Sequence, residues 1–427
     1  MADRQTQRTN VPRVVVVGGG FAGLSVVRAL RGVDVGVTLI DRHAYATFNP
    51  LLYQVATATL NPGDITWFLR SVRSRQKNVQ FLNGAVQAMD HTAKTVTLAD
   101  GTVVGYDYLV IAAGVAANYF GITGAAEHAM PLYTRTQALA FRDKMFTHLE
   151  AAASHGSDVD LRVVVVGGGA TGVEMAGALA ELRNTDMPVT YPELDPARTH
   201  ITLMEMAPSL LGPFDKSLQR YTLKELTQRD VDVRLGTAVQ EVRADGVVDG
   251  DGNFVPAGIV VWASGVTVPE VVKQWDVPQG KGGRIRVDDH LRVQGLGSVF
   301  AVGDIAAEEG DRALPQLAQP AMQGGTYVGR QLRAKLTGDG VARFEYRDKG
   351  QLATIGRSSA VAQVKYLPPL KGFVAWVIWM AVHLFYLLGN RNRLTTMINL
   401  GARYVFWRRS HNAIVGDTPH ATLSDSS

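Results

Sequence analysis

The sequence predicts an α/β fold of two Rossmann-like dinucleotide-binding domains, the second inserted in the first, plus a C-terminal membrane-anchoring region. Three observations carry this prediction. From Arg13 to Asp41 the chain reads RVVVVGGGFAGLSVVRALRGVDVGVTLID: an apolar strand, a glycine turn, a helix, and a second strand closed by an acid. Arg162–Gly169 then repeats Arg13–Gly20 letter for letter. Near the end, Phe373–Leu388 is an uncharged apolar run in a stretch where no acid occurs between Lys371 and Gly416.

In the first unit Gly18, Gly20 and Gly23 fit G-x-G-x-x-G. The first glycine permits a tight turn, the second lets the backbone approach a pyrophosphate, and the third lets the helix pack close to the strand. The phosphates would sit among the unpaired N–H groups at the helix start. Asp41, ending the second strand, is placed to take a ribose hydroxyl. The second unit keeps the register through Gly167, Gly169 and Gly172, and Glu205 occupies the role of Asp41. Glu205 lies further from its glycines because MPVTYPELDPARTH intervenes, a proline-rich stretch expected to be a surface excursion. Two dinucleotide sites on one chain imply two dinucleotides that exchange electrons.

At 427 residues the chain is long enough for two or three domains with full cores. Its net charge of +4 is too small to identify a partner, and nucleic acid is not expected to be one. The polar start, MADRQTQRTN, shows no secretory signal, so the cofactor domains are expected in the cytosol or its equivalent. Cysteine is absent. A redox-active thiol pair relaying electrons from flavin to substrate is therefore excluded, as are thiolate-held zinc and iron–sulfur sites. No metal site is expected.

After a loose arm over residues 1–10 and the first unit, HAYATFNPLLYQVATATLNPGDI reads as a structured loop covering a cofactor. The basic residues between Trp67 and Lys77 read as a solvated helix face. Val79–Ala88 and Thr95–Val104 alternate like paired strands. Tyr106–Gly114 is a buried strand ending in small residues, Ala113 and Gly114, as a chain needs where it passes close to a cofactor. Residues 125–160 form a helical connection, and VVWASG repeats the strand-then-small-residue device at Gly265. Val299–Val302 reads as a strand, Gly303 as a turn and Asp304 as an acid at the strand's end, there either to bind a polyol hydroxyl or to cap the turn. Because Pro320 suits only a first helical turn, the next helix should run from about Gln319 to Leu332, with Gln319 and Gln323 on one face.

The apolar run Phe373–Leu388 is shorter than the roughly 20 residues that usually span a bilayer. Its aromatic residues and the flanking Arg391, Arg393, Arg403, Arg408 and Arg409 read as a monotopic anchor on anionic lipid, with a spanning helix or a homodimer interface as the alternatives. His383 reads as structural. The expected domains are 11–125 with 285–345, 126–284, and a membrane-association region over 346–415, with tails at 1–10 and 416–427.

The pieces GGGFAG, TFNPLLYQVATATL, YDYLVIAAG, GGGATGVEMAGAL, VVWASG, FAVGDIA, LAQPAMQGG and HLFYLLGNRNRL together resemble the type II NADH dehydrogenases, single-subunit NADH:quinone oxidoreductases that pump no protons. The resemblance covers Arg13 to about Arg409; its Ala-Gln-x-Ala-x-Gln-Gly run, opening at Ala318, and its basic aromatic tail are more specific than the glycine motifs. It implies FAD in the first unit, with Ala318 beside it and Asp304 on its ribityl chain. It implies NADH in the second unit, with Glu174 near the flavin–nicotinamide contact. It also implies a quinone pocket lined by Gln319 and Gln323, and a place on the cytoplasmic face of the plasma membrane. With no cysteine for a thioether, the FAD would be held non-covalently. A soluble reductase feeding an iron–sulfur or rubredoxin-type carrier is the alternative function.

Overall fold

The computed structural model describes residues 11–155, 160–308 and 314–401. The chain divides into two compact units, residues 1–46, 67–116 and 266–348, and residues 47–66, 117–265 and 349–427. The tails and Arg403, Arg408 and Arg409 lie outside the described residues.

The first unit is built on a five-stranded parallel sheet. Its order is Val299–Ala301, Tyr108–Ile111, Arg13–Val17, Gly36–Asp41, Val79–Asn83. Val14 to Val17 are all buried, so the central strand is continuously apolar, as a sheet covered on both faces requires. Helix Phe21–Ala29 packs along helix Ala318–Thr337 through small residues. A Cβ on Gly325 would lie 2.2 Å from the Ala22 carbonyl oxygen, and one on Gly329 2.5 Å from the Ala29 Cβ. The expected helix thus begins one residue earlier than Gln319 and runs on to Thr337, where Gly338, in the left-handed region, ends it.

One expected pairing is corrected. Val79–Asn83 does not join the hairpin with Thr95–Leu98; it is the edge strand of the parallel sheet, beside Gly36–Asp41. The chain breaks at Gly84, whose missing side chain makes room for Leu98. Val86–Asp90 then pairs with Thr95–Leu98, and that strand with Val103–Gly105.

The second unit has its own five-stranded parallel sheet. Its order is Ala129–Pro131, Ile259–Trp262, Leu161–Val166, Thr199–Glu205, Asp232–Leu235. The long helix Arg135–His155 provides the expected connection. The excursion before Thr199 is packed rather than free, with Met187, Tyr191 and Leu194 buried. The C-terminal part of this unit is a small antiparallel sheet, Gln351–Thr354, Ala360–Gln363 and Leu370–Gly372, followed by helices Phe373–Tyr386 and Asn390–Gly401. Gly177, on helix Ala170–Glu181, lets that helix lie against Ile355 and Gly356.

Around the span expected to form the inserted domain, the compact units divide at 116/117 and 265/266. Packing explains both divisions. Tyr119, Ile122 and Ala125 belong to the core around Trp262 in the second unit. Trp275 is buried in the first, where its carbonyl oxygen meets His91 Nε2 at 2.8 Å.

Candidate active site

The two glycine turns are copies in geometry as well as in sequence. Gly18 and Gly167 have φ of 107° and 111°, a region that side chains other than hydrogen rarely adopt. A Cβ on Gly23 would fall 1.8 Å from the Gly18 carbonyl oxygen, and one on Gly172 would fall 1.8 Å from that of Gly167. These glycines are demanded by the protein's own packing. Gly20 and Gly169 are not: their φ is negative and a Cβ on either would meet no protein atom within 4 Å. Each caps the start of a helix without any side-chain cap, and neither helix has an acid in its first turn. Open space over a helix start with no side-chain cap and no acid fits a dinucleotide pyrophosphate at both places.

The acids match too. Asp41 accepts from the Gly19 N–H at 2.6 Å and the His43 N–H at 2.7 Å; Glu205 accepts from Gly168 at 2.5 Å and Ala207 at 2.7 Å. Each carboxylate is thereby fixed beside its glycine turn with lone pairs to spare for ribose hydroxyls. In the first unit Ala113 follows directly behind Gly18, its Cα 3.1 Å from where a Gly18 Cβ would be, and Gly114 has φ of 69°. Gly265 holds the corresponding place in the second unit, with φ of 67°.

Gly303 wedges between the two helix starts of the first unit, with Ala22 on one side and Ala321 on the other. Asp304, beside it, has its carboxyl pushed up to about 6 by burial, with the Arg284 guanidinium drawing it partly back. Arg284 itself is pinned by a hydrogen bond to the Ala306 carbonyl, and Gln316 Nε2 donates to the Asp304 carbonyl at 3.0 Å. Ala318 opens the following helix, whose first turn has no capping side chain and no acid.

Gln319 and Gln323 share a face as expected, with Gln323 Nε2 3.5 Å from Gln319 Oε1. The amide of Gln323 is otherwise engaged. It donates to the Arg347 carbonyl at 2.9 Å and accepts from the Arg347 N–H at 3.0 Å, a two-point pairing with one residue's backbone.

In the second unit Glu174, on helix Ala170–Glu181, is only 8% exposed, so it is no solvated acid at a helix start. Burial pushes its carboxyl up to about 8; the Thr354 N–H, 3.3 Å away, and the Trp379 indole draw it back. Around it the Tyr53 hydroxyl lies 3.0 Å from the Thr354 hydroxyl, and Gln54 Nε2 donates to Tyr53 at 2.9 Å. His383 stacks on Trp379 at 4.0 Å between ring centroids; burial drives its pKa down to about 4, so it is a neutral packing group. Sequence reasoning missed Tyr53, Thr354, Trp379 and Arg284. Only Tyr53 had a signal, its place in TFNPLLYQVATATL.

Among the described residues, no helix is long and apolar enough to cross a membrane. The two C-terminal helices bury Ala375, Trp376, Trp379 and Leu400 and expose Phe373, Val374, Val377, Phe385, Leu394, Met397 and Ile398.

Residues 12–325 match the pyridine nucleotide-disulphide oxidoreductase family, and residues 349–409 match the NDH2 C-terminal domain. The chain is 35% identical to the type II NADH:quinone oxidoreductase Ndh of Mycobacterium tuberculosis, over 94% of this chain and 90% of that one. It is 31% identical to an internal alternative NAD(P)H-ubiquinone oxidoreductase of Arabidopsis thaliana mitochondria, over 94% and 88% of the two chains. The fold is that of NDH2 from Plasmodium falciparum, solved with NADH, at a TM-score of 0.85 and 21% identity over 93% of this chain and 99% of that one. A sulfide:quinone oxidoreductase from Aquifex aeolicus shares the fold more distantly, at a TM-score of 0.74 and 20% identity over 94% and 96% of the chains; the absence of cysteine bars a thiol relay here. The chain belongs to the type II NADH:quinone oxidoreductases, FAD-dependent enzymes of the two-dinucleotide fold.

Proposed function

We propose that the chain works as an NADH:quinone oxidoreductase with FAD held in the first unit and NADH in the second. The doubled cradle carries the reading: two glycine turns of one geometry, each with a helix start open to phosphate and an acid fixed beside it. Bound FAD supplies the two-electron relay between nicotinamide and quinone. Gly20 and the helix N–H groups behind it hold its pyrophosphate, Asp41 its ribose, and Asp304 its polyol. Gly169 and Glu205 do the same for NADH, and the Glu205 carboxylate repels a 2′-phosphate. A hydride carries two electrons and one proton, so forming a quinol requires one more proton. Glu174, protonated at neutral pH, is the acid that provides it. The exposed apolar face of helices Phe373–Tyr386 and Asn390–Gly401, with Arg391 and Arg393 among it, rests on a lipid surface without spanning it, on the cytoplasmic side. A homodimer is the competing use of that face.

Anaerobic NADH should bleach the flavin absorbance of the purified protein, and a short-chain quinone should restore it. Bleaching that only an iron–sulfur carrier reverses would favour the soluble-reductase reading.

The engaged amide of Gln323 separates it from Gln319. Gln319→Leu should raise the apparent KM for quinone several-fold, the effect of about 1 kcal/mol for one lost hydrogen bond, without slowing reduction by NADH. Gln323→Leu should raise it too, and in addition should speed tryptic cleavage at Arg347, whose backbone it frees. Equal protease resistance in both variants would show that the Arg347 pairing has no consequence.

A further inference from the structure

Tyr119–Phe120–Gly121–Ile122 is a tight turn closed by the Ile122 N–H on the Tyr119 carbonyl at 2.9 Å. Its two central residues both have positive φ, 54° for Phe120 and 72° for Gly121. Such a turn favours glycine, asparagine or aspartate at both centres, because a Cβ crowds the backbone there. Gly121 obeys; Phe120 does not. Nor does Phe120 gain burial in exchange. Tyr119 and Ile122 pack on the core around Trp262, whereas Phe120 is 60% exposed.

The strained aromatic is held firmly. Asn118 Oδ1 accepts from the Phe120 N–H at 2.8 Å, the Asn118 carbonyl accepts from the Trp262 indole N–H at 2.8 Å, and the Asn118 N–H donates to the Gly265 carbonyl at 3.3 Å. The ring edge then lies across Gly265, where an added Cβ would be 2.2 Å from the Phe120 Cζ. Backbone strain that buys no core contact points to a role outside the core.

The sheet order says what is there. In this unit the glycine turn follows strand Leu161–Val166, and Glu205 ends the neighbouring strand Thr199–Glu205. A dinucleotide with its pyrophosphate on the turn and its adenosine ribose on Glu205 must send its other half the opposite way, over the end of strand Ile259–Trp262. That strand leads through Ala263 and Ser264, both against Gly167, to Gly265. We propose that Phe120 is a substrate-contacting residue for the nicotinamide half of NADH, an apolar ring held over Gly265 against which the nicotinamide riboside packs. The inference rests on the assignment of NADH to this unit and goes beyond it in naming the contact.

Phe120→Asn in the FAD-loaded protein separates the ring from the turn, since asparagine suits the backbone and removes the aromatic. The NADH concentration giving half-maximal flavin reduction should rise roughly tenfold. The inhibition constant of ADP-ribose, which lacks nicotinamide, should stay within about twofold, and the melting temperature should hold or rise as strain is relieved. Phe120→Tyr, which keeps a ring, should bind NADH as the unmodified enzyme does. Parallel weakening of NADH and ADP-ribose would overturn the inference in favour of a role in turn shape. Tighter or unchanged NADH binding would overturn it as well, making the ring a cover. If ADP-ribose fails to compete with NADH even in the unmodified enzyme, the assignment of NADH to this unit falls, and the inference with it.

Discussion

Replacing Gly172 with valine should leave a yellow protein that NADH no longer bleaches at ordinary concentrations. The Cβ at this position would stand 1.8 Å from the Gly167 carbonyl oxygen. No rotamer relieves a collision with backbone, so the turn offered to the pyrophosphate must open. Overpacking a tight contact costs about 1–3 kcal/mol, which corresponds to about one to two orders of magnitude in NADH affinity. The flavin cradle lies in the other unit and should keep its cofactor. Gly23→Val makes the same 1.8 Å collision with Gly18 and should instead yield a colourless protein. Flavin content and NADH titration of the two variants test the assignment in both directions. Loss of flavin from Gly172→Val with retention in Gly23→Val would mean that the two dinucleotides had been assigned to the wrong units.

The contrast between these variants follows from what a linear sequence can carry. Glycine spacing is local, so both turns and the strands around them are legible from residues a few positions apart, and each acid from its place at the end of the next strand. Val79–Asn83 reads as a hairpin strand because its apolar alternation suits a hairpin as well as a sheet edge, and only the break at Gly84 decides between them. The environment of Glu174 was not legible, because its neighbours come from positions 53, 354 and 379. Helical spacing is enough to put Gln319 and Gln323 on one face. The partner that occupies Gln323 is the backbone of Arg347, which has no side-chain signature. At Phe120 turn propensity argues for a different residue altogether, and the departure from it became informative only once the positive φ was known.

Glu174→Gln should abolish most quinone turnover and remove a pH dependence of stability at the same time. In the folded protein burial disfavours the carboxylate and lifts the pKa to about 8, against 4.5 for an ordinary glutamate. The folded state therefore binds the Glu174 proton more tightly than the unfolded state does. That contribution to stability is fully present below pH 4.5, declines as the pH rises, and is gone above about pH 8. Glutamine has no charge to desolvate, and its amide oxygen can still accept from the Thr354 N–H. The melting temperature of Glu174→Gln relative to the unmodified protein should thus increase from pH 5 to about pH 8 and level off above it. Removing a general acid typically costs about 10²–10⁴-fold in rate, so quinone reduction should fall by that order. In the unmodified enzyme the rate should fall off above about pH 8 as the acid form is lost, and the residual rate of the variant should not show that break. Ferricyanide takes electrons without protons, so turnover with it should survive the substitution. If quinone turnover also survives, with the break near pH 8 intact, Glu174 is a buried structural acid, and the proton reaches the quinone by another route.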